Sequence, residues 1–223
     1  MWAVSSARTT ADPAFLALAA SWAPEPARQF LSLIWLAYDA MRASMPYIDG
    51  GDLERSITQV LEPRISNAMT GYEPFYVQHG PFERETKRPA PAQPPEYDLA
   101  FVLRADERIM WPLEAKVLET PGAVAAYAHD VENEFLKCRY APFSSSGAMV
   151  AYLISGAATD ALSSIATRLG CELHEVVGHS ARPNRYSKHT RCVPPGKTYP
   201  SSFDCYHLVL EYPGLTRSRV STR

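Results

Sequence analysis

The stretch from Tyr97 to Leu118 constrains the fold more than any other part of the chain. It reads YDLAFVLR, then ADER, then IMWPLEAKVL. Each flanking segment is an apolar run of strand length, and the four polar residues between them allow only a tight reversal, so the pair is predicted to form adjacent antiparallel strands. The second run interrupts its own apolar character with Glu114 and Lys116. Side chains alternate along a strand, so these two charges share one face, while Ala115 lies between them with its backbone carbonyl available. An ionised pair within an apolar strand is costly to desolvate unless a partner or a cation compensates it.

Helices are expected on both sides of this hairpin. From Ala27 to Met45, the residues Phe30, Leu33, Ile34, Ala37, Tyr38 and Met41 form one apolar stripe at helical spacing, and Pro46 ends the run. Gly50 and Gly51 make a turn, Asp52 is placed to cap a second helix, and Leu53, Ile57, Val60 and Leu61 continue it to Pro63 or slightly beyond, with Glu54 in its first turn. Phe75, Tyr76 and Val77 change the texture to strand, and Pro81 to Glu96 reads as an extended connection because it is rich in proline and charge. After the hairpin, Thr120 and Pro121 are expected to open a helix with Val124, Tyr127, Ala128, Val131 and Phe135 on its buried face. A strand at 148–155, a helix from Thr159 stopped by Gly170, a strand near 173–177, a loop at 182–200 and a last strand at 206–212 complete the order. Together these predict one α/β domain: a central mixed sheet flanked by helices on both faces. The domain reading is a helical extension at 1–50, a core at 51–215 and a tail at 216–223.

With 46% hydrophobic residues and 11 Gly in 223, disorder and collagen-like or fibrous architectures are excluded. Cys138, Cys171, Cys192 and Cys205 contain no CxxC pair, so reduced thiols are expected. No run reaches the roughly 20 apolar residues of a membrane span, and Phe15 to Ala23 lacks a preceding basic segment and cleavage pattern, so a cytoplasmic protein is expected.

The formal net charge of -2 conceals a polarity along the chain. Residues 1–178 carry 14 Lys and Arg against 22 Asp and Glu, whereas residues 179–223 carry 8 against 2. A late basic segment on an acidic body suggests a surface for a polyanion. Arg182, Arg185, Lys188, His189, Arg191 and Lys197 alternate there with Tyr186 and Tyr199. Cations at flexible spacing suit phosphates, and tyrosines can stack on unpaired bases.

An antiparallel neighbour to the second strand can bring Asp98 beside Glu114. Two carboxylates and a carbonyl make an all-oxygen donor set of the kind that holds Mg²⁺ or Mn²⁺, and a lysine two residues on can orient water or neutralise a phosphate. The segments PEYD and EAK resemble the signature of the PD-(D/E)XK nuclease superfamily, whose fold is that of restriction endonucleases. The resemblance places Asp98, Glu114 and Lys116 at its three motif positions and covers residues 52–178 in element order. It departs from the usual pattern in its proline, since Pro95 lies three positions before the aspartate. The resemblance implies a Mg²⁺- or Mn²⁺-dependent endonuclease acting on DNA, in restriction or phage defence. Its metal would be held by Asp98, Glu114, the Ala115 carbonyl and Glu54, with Glu62 the weaker choice for the last position. It also implies auxiliary polar residues on the following helix, which carries Asp130, Glu134, Lys137, Arg139 and Tyr140; of these, Lys137 and Tyr140 are assigned to nucleic acid together with Arg185, Lys188, His189, Arg191 and Lys197.

The same residues admit other readings. A silent DNA-binding or scaffold subunit keeps the fold and the basic segment without turnover, and a small-substrate α/β hydrolase lacks a GxSxG or phosphate loop in its support. His189, Cys192, Cys205 and His207 offer four zinc-type ligands, although the second pair is closely spaced. Cutting both strands of a duplex needs two active sites, so a homodimer or a targeting or sensor subunit is the expected partner.

Overall fold

The computed structural model describes residues 12–22, 26–85 and 94–215. Seven strands form one mixed sheet: β1 (Phe75–His79), β2 (Leu99–Leu103), β3 (Met110–Leu118), β4 (Ser146–Leu153), β5 (His174–Glu175), β6 (Asn184–Thr190) and β7 (Ser202–Glu211). Their spatial order is β1-β2-β3-β4-β7-β6-β5. The predicted hairpin is present, with Leu99 opposite Leu113 and Val102 opposite Met110. β3 runs parallel to β4, and β4 runs parallel to β7.

Five helices cover the sheet: α1 (Pro13–Trp22), α2 (Pro26–Ala43), α3 (Leu53–Ala68), α4 (Ala125–Asp130) and α5 (Ala158–Leu169). α2 and α3 pack on one face, where Phe30 meets Phe75, Phe101 and Trp111. α4 and α5 pack on the other, where Tyr127, Val131, Phe135 and Ile165 bury against Met149, Phe203 and Val209. The stretch expected to be an N-terminal extension is thus, over α2, a full layer of the core. α3 begins where Asp52 accepts a hydrogen bond from the Arg55 N–H, and it continues through Pro63 to Ala68. Among the described residues, no helix is long and apolar enough to cross a membrane.

Three expectations are corrected. The helix after β3 does not open at Thr120 and Pro121. The Ala123 N–H bonds the Thr120 carbonyl and the Val124 N–H bonds that of Gly122, which makes a turn instead, and α4 starts at Ala125. It then widens into a π-helical turn over Val131–Phe135. The segment from 182 onward is not all loop, because Asn184–Thr190 is a strand paired along its length with β7. Its polar side chains hide it from a search for apolar runs, and it is tolerated there because only the two-residue β5 lies beyond it at the sheet edge. That β5 also replaces the longer strand expected near 173–177.

Gly147 allows the close approach on which the π-helical turn depends. A Cβ there would stand 2.9 Å from the ring of Phe135 and 3.2 Å from that of Phe203. At the end of α5, Gly170 takes the left-handed conformation (φ 61°) and closes the helix as expected.

Candidate active site

β3 carries Glu114 and Lys116 on the face covered by α4, near the carboxyl end of the strand. β2 arrives antiparallel, so Asp98, one residue before its ladder begins, reaches the next backbone position of β3. Its Oδ2 accepts the Ala115 N–H at 2.7 Å. From the opposite layer, the first turn of α3 directs Glu54 over the strand end, where its Oε2 accepts the Val117 N–H at 3.2 Å. The last residue of α4, Asp130, closes the group.

The Lys116 ammonium stands at the centre. Its Nζ lies 2.8 Å from Glu114 Oε1, 2.8 Å from the Ala115 carbonyl, 3.0 Å from Asp130 Oδ2 and 3.4 Å from Glu54 Oε1. Glu114 is only 8% exposed, and its Oε2 is buried without a hydrogen-bond partner. One cation therefore faces four carboxylates, an imbalance that must be relieved by protons or by further positive charge. Burial, reinforced by the charge of Asp98, pushes Glu114 up to about 8. Burial also raises Asp98 and Glu54. It works against the charged form of Lys116, but the charges of Glu114 and Glu54 outweigh it and hold the ammonium above its ordinary range.

Beside Glu54 and Asp98 lies an open cleft of about 440 Å³, lined also by Asp52, Arg55, His79, Gly80, Glu96 and Tyr97. Tyr97 turns inward, donates to buried Glu83, and accepts the Ala141 N–H at 2.9 Å.

No family model, curated protein or solved structure matches the chain.

The four residues expected at the metal, Asp98, Glu114, Ala115 and Glu54, do converge, although they lie on three different elements. Glu62, the weaker choice for the last position, is partly buried on α3 and has no bond to this group. The donor set suits a hard divalent cation: carboxylate and carbonyl oxygens, one of them buried without a partner. Among the described residues, no three His, Cys, Asp or Glu side chains stand together in ligating geometry, and Lys116 Nζ lies among the oxygens of this cluster.

The residues assigned to nucleic acid do not gather into one clamp. Arg191 is 4% exposed, and its guanidinium donates to the carbonyls of Phe135, Tyr140, Ala141 and Ser144. It is a structural staple, and its positive charge had suggested a surface contact only because burial is invisible in a charge count. Tyr140 is buried with its hydroxyl on the Glu96 carbonyl. Lys197 bonds Glu85, and exposed Lys137 bonds Asn133. Arg185 lies in the same row of the sheet as Glu114, through Met149 and His207. Three strand spacings separate them, about 14 Å. Lys188 pairs with Asp204, toward the other end of the sheet. His189 is half-buried against Ser187.

The zinc set is not assembled either: His189 and His207 both bond Ser187 Oγ, at 2.6 and 2.7 Å, while Cys192 is exposed. One residue of the acidic cluster was named only among the auxiliary polar positions of its helix, and one buried carboxylate was not named at all. Asp130 carried the signal of lying off the buried stripe of its helix, which marks a polar position without saying what it faces. Glu83 carried none, because its proline-rich surroundings give no period.

Proposed function

We propose that this chain is a metal-dependent nuclease that hydrolyses phosphodiester bonds in DNA. The observation that carries this reading is the convergence of Glu114 and Glu54 on Lys116 beside Asp98, which accepts the Ala115 N–H, with one buried Glu114 oxygen left unpartnered. The order α3, three antiparallel strands, α4 and a parallel β4 supports it, being the element order that the resemblance to PD-(D/E)XK nucleases implies.

Asp98, Glu114, the Ala115 carbonyl and Glu54 would hold Mg²⁺ or Mn²⁺, which when bound supplies charge neutralisation at the phosphate and a more acidic water. The chain's own groups do the rest. Lys116, with three N–H donors and low exposure, orients the attacking water and offsets negative charge developing on the phosphate. Glu54, held by the Val117 N–H and by Lys116, brings its carboxylate from the opposite layer to the edge of the cleft. Exposed Arg55 gives the cleft a cationic group for a phosphate backbone, and half-buried His79 lines it with an imidazole.

Cytoplasmic phage defence or restriction is the setting we assign, with a second copy or a targeting or sensor subunit as partner. One observation favours a silent DNA-binding or scaffold role instead: Lys116 already satisfies much of the acidic cluster as an internal ion pair. Plasmid cleavage with Mg²⁺ separates the two readings. Wild type should nick or linearise DNA, and Glu114→Ala and Lys116→Ala should each lose at least about a hundredfold in rate. Equal activity in all three proteins removes the assignment, and salt-dependent DNA binding without cleavage establishes the silent role.

A further inference from the structure

Lys116 has more acceptors than it has protons to donate. Three N–H groups face four oxygens, those of Glu114, Ala115, Asp130 and Glu54. Three of the four belong to residues that the proposed metal site needs. Asp130 alone does not, and it comes from the layer opposite Glu54, at the end of α4. Its position is firmly set. The π-helical turn that follows is closed by the Leu136 N–H on the Val131 carbonyl and by the Arg139 and Tyr140 N–H groups on that of Glu134, and Arg191 ties down the segment beyond. Cys138 and Ala141 are held there at positive φ, 55° and 47°, a conformation that persists only where the surroundings impose it.

We propose that Asp130 is a positioning residue for Lys116: it retains the ammonium at the site when Lys116 releases Glu114 and the Ala115 carbonyl to a divalent cation. Lys116 Nζ lies among the oxygens of the cluster, and the unpartnered Glu114 Oε2 marks the side open to a second cation. Without Asp130, the ammonium has no anchor outside the ligand set, stays on Glu114 and competes with the metal. The inference rests on the metal-site reading and assigns Asp130 a role that acts only through Lys116.

The test is calorimetric titration of the full chain with Mn²⁺, for wild type, Asp130→Asn, Lys116→Met and the double variant. Asp130→Asn should weaken binding by about tenfold with Lys116 present, and by several-fold less in the Lys116→Met background, a coupling of the size found for groups in direct contact. Lys116→Met alone should bind more tightly than wild type. Asp130→Glu, which keeps the carboxylate, should recover most of the loss, and Lys116→Gln serves as a second background should the methionine variant fold poorly. An equal loss from Asp130→Asn in both backgrounds makes Asp130 a direct ligand or a through-space charge and overturns the inference, leaving the metal site intact. Absence of Mn²⁺ binding by wild type and by Lys116→Met overturns both.

Discussion

His207 is wholly buried, with Nδ1 against the Tyr127 hydroxyl at 2.9 Å and Nε2 against Ser187 Oγ at 2.7 Å. Burial, with a smaller contribution from His189, pushes its pKa down to about 3. An unfolded chain binds that proton near pH 6.5, so between the two values the unfolded state holds more protons than the folded one. Stability is therefore complete above about pH 6.5 and falls as the pH drops toward 3, with about 2–3 kcal/mol lost to this group by pH 4.5. Thermal midpoints measured from pH 7 to 4.5 should decline in wild type, and the slope should be shallower in His207→Gln; an unchanged slope assigns the acid lability elsewhere. The sequence alone placed His207 in a possible zinc group. Its true neighbour Tyr127 lies 80 residues away on another element, and no spacing rule connects them. Asp98, Glu114 and Lys116 were legible for the opposite reason. Two of them share a strand, the third immediately precedes the adjoining strand of a tight hairpin, and each is a charge set in apolar surroundings. Asp130 was legible only as one of several polar positions on its helix, and the burial of Arg191 was not legible at all, because whether a charge is buried or solvated is decided by what packs against it.

Elements with a strong period were read to within a few residues: α2, α3 and α5 from their apolar stripes, β2 and β3 from their runs. The failures are β6, whose polar alternation suits an almost uncovered strand near the edge, and the start of α4, where Gly122 beside Pro121 favours a turn over a first helical turn. α2 offers the clearest energetic test. Phe30 is fully buried, stacked on Phe101 at 4.2 Å between ring centroids and edge-on to Phe75 at 4.8 Å. Phe30→Ala should cost about 3–5 kcal/mol, the range for large aromatic truncations in a core. Denaturant unfolding should show the loss as a lower midpoint at unchanged slope; a change below 1 kcal/mol would mean that α2 is not part of the cooperative core.

At the scale of the whole molecule, both helical layers share one sheet, and the acidic cluster draws residues from α3, β3, α4 and the residue that leads into β2. A cation bound there bridges the two layers and should stabilise the entire fold by mass action. At a hundredfold excess of Mn²⁺ over its dissociation constant the gain is about 2.7 kcal/mol. That corresponds to a rise of at least about 5 °C in thermal midpoint for a chain of this size. Asp98→Asn should abolish the rise, and a rise of equal size in that variant would locate the bound ion elsewhere. The sheet order carries a different consequence. β7 is the last strand in sequence, yet it lies between β4 and β6, parallel to the first and antiparallel to the second. As the chain leaves the ribosome, β1, β2, β3 and β4 can assemble while β4 still presents a bare edge, and β6 has nothing to pair with across the gap. Only when residues through Glu211 have emerged can the sheet be joined. Synthesis interrupted before Ser202 would leave a half-sheet with an apolar edge open to other chains, and such fragments are expected to aggregate rather than to persist as folded monomers.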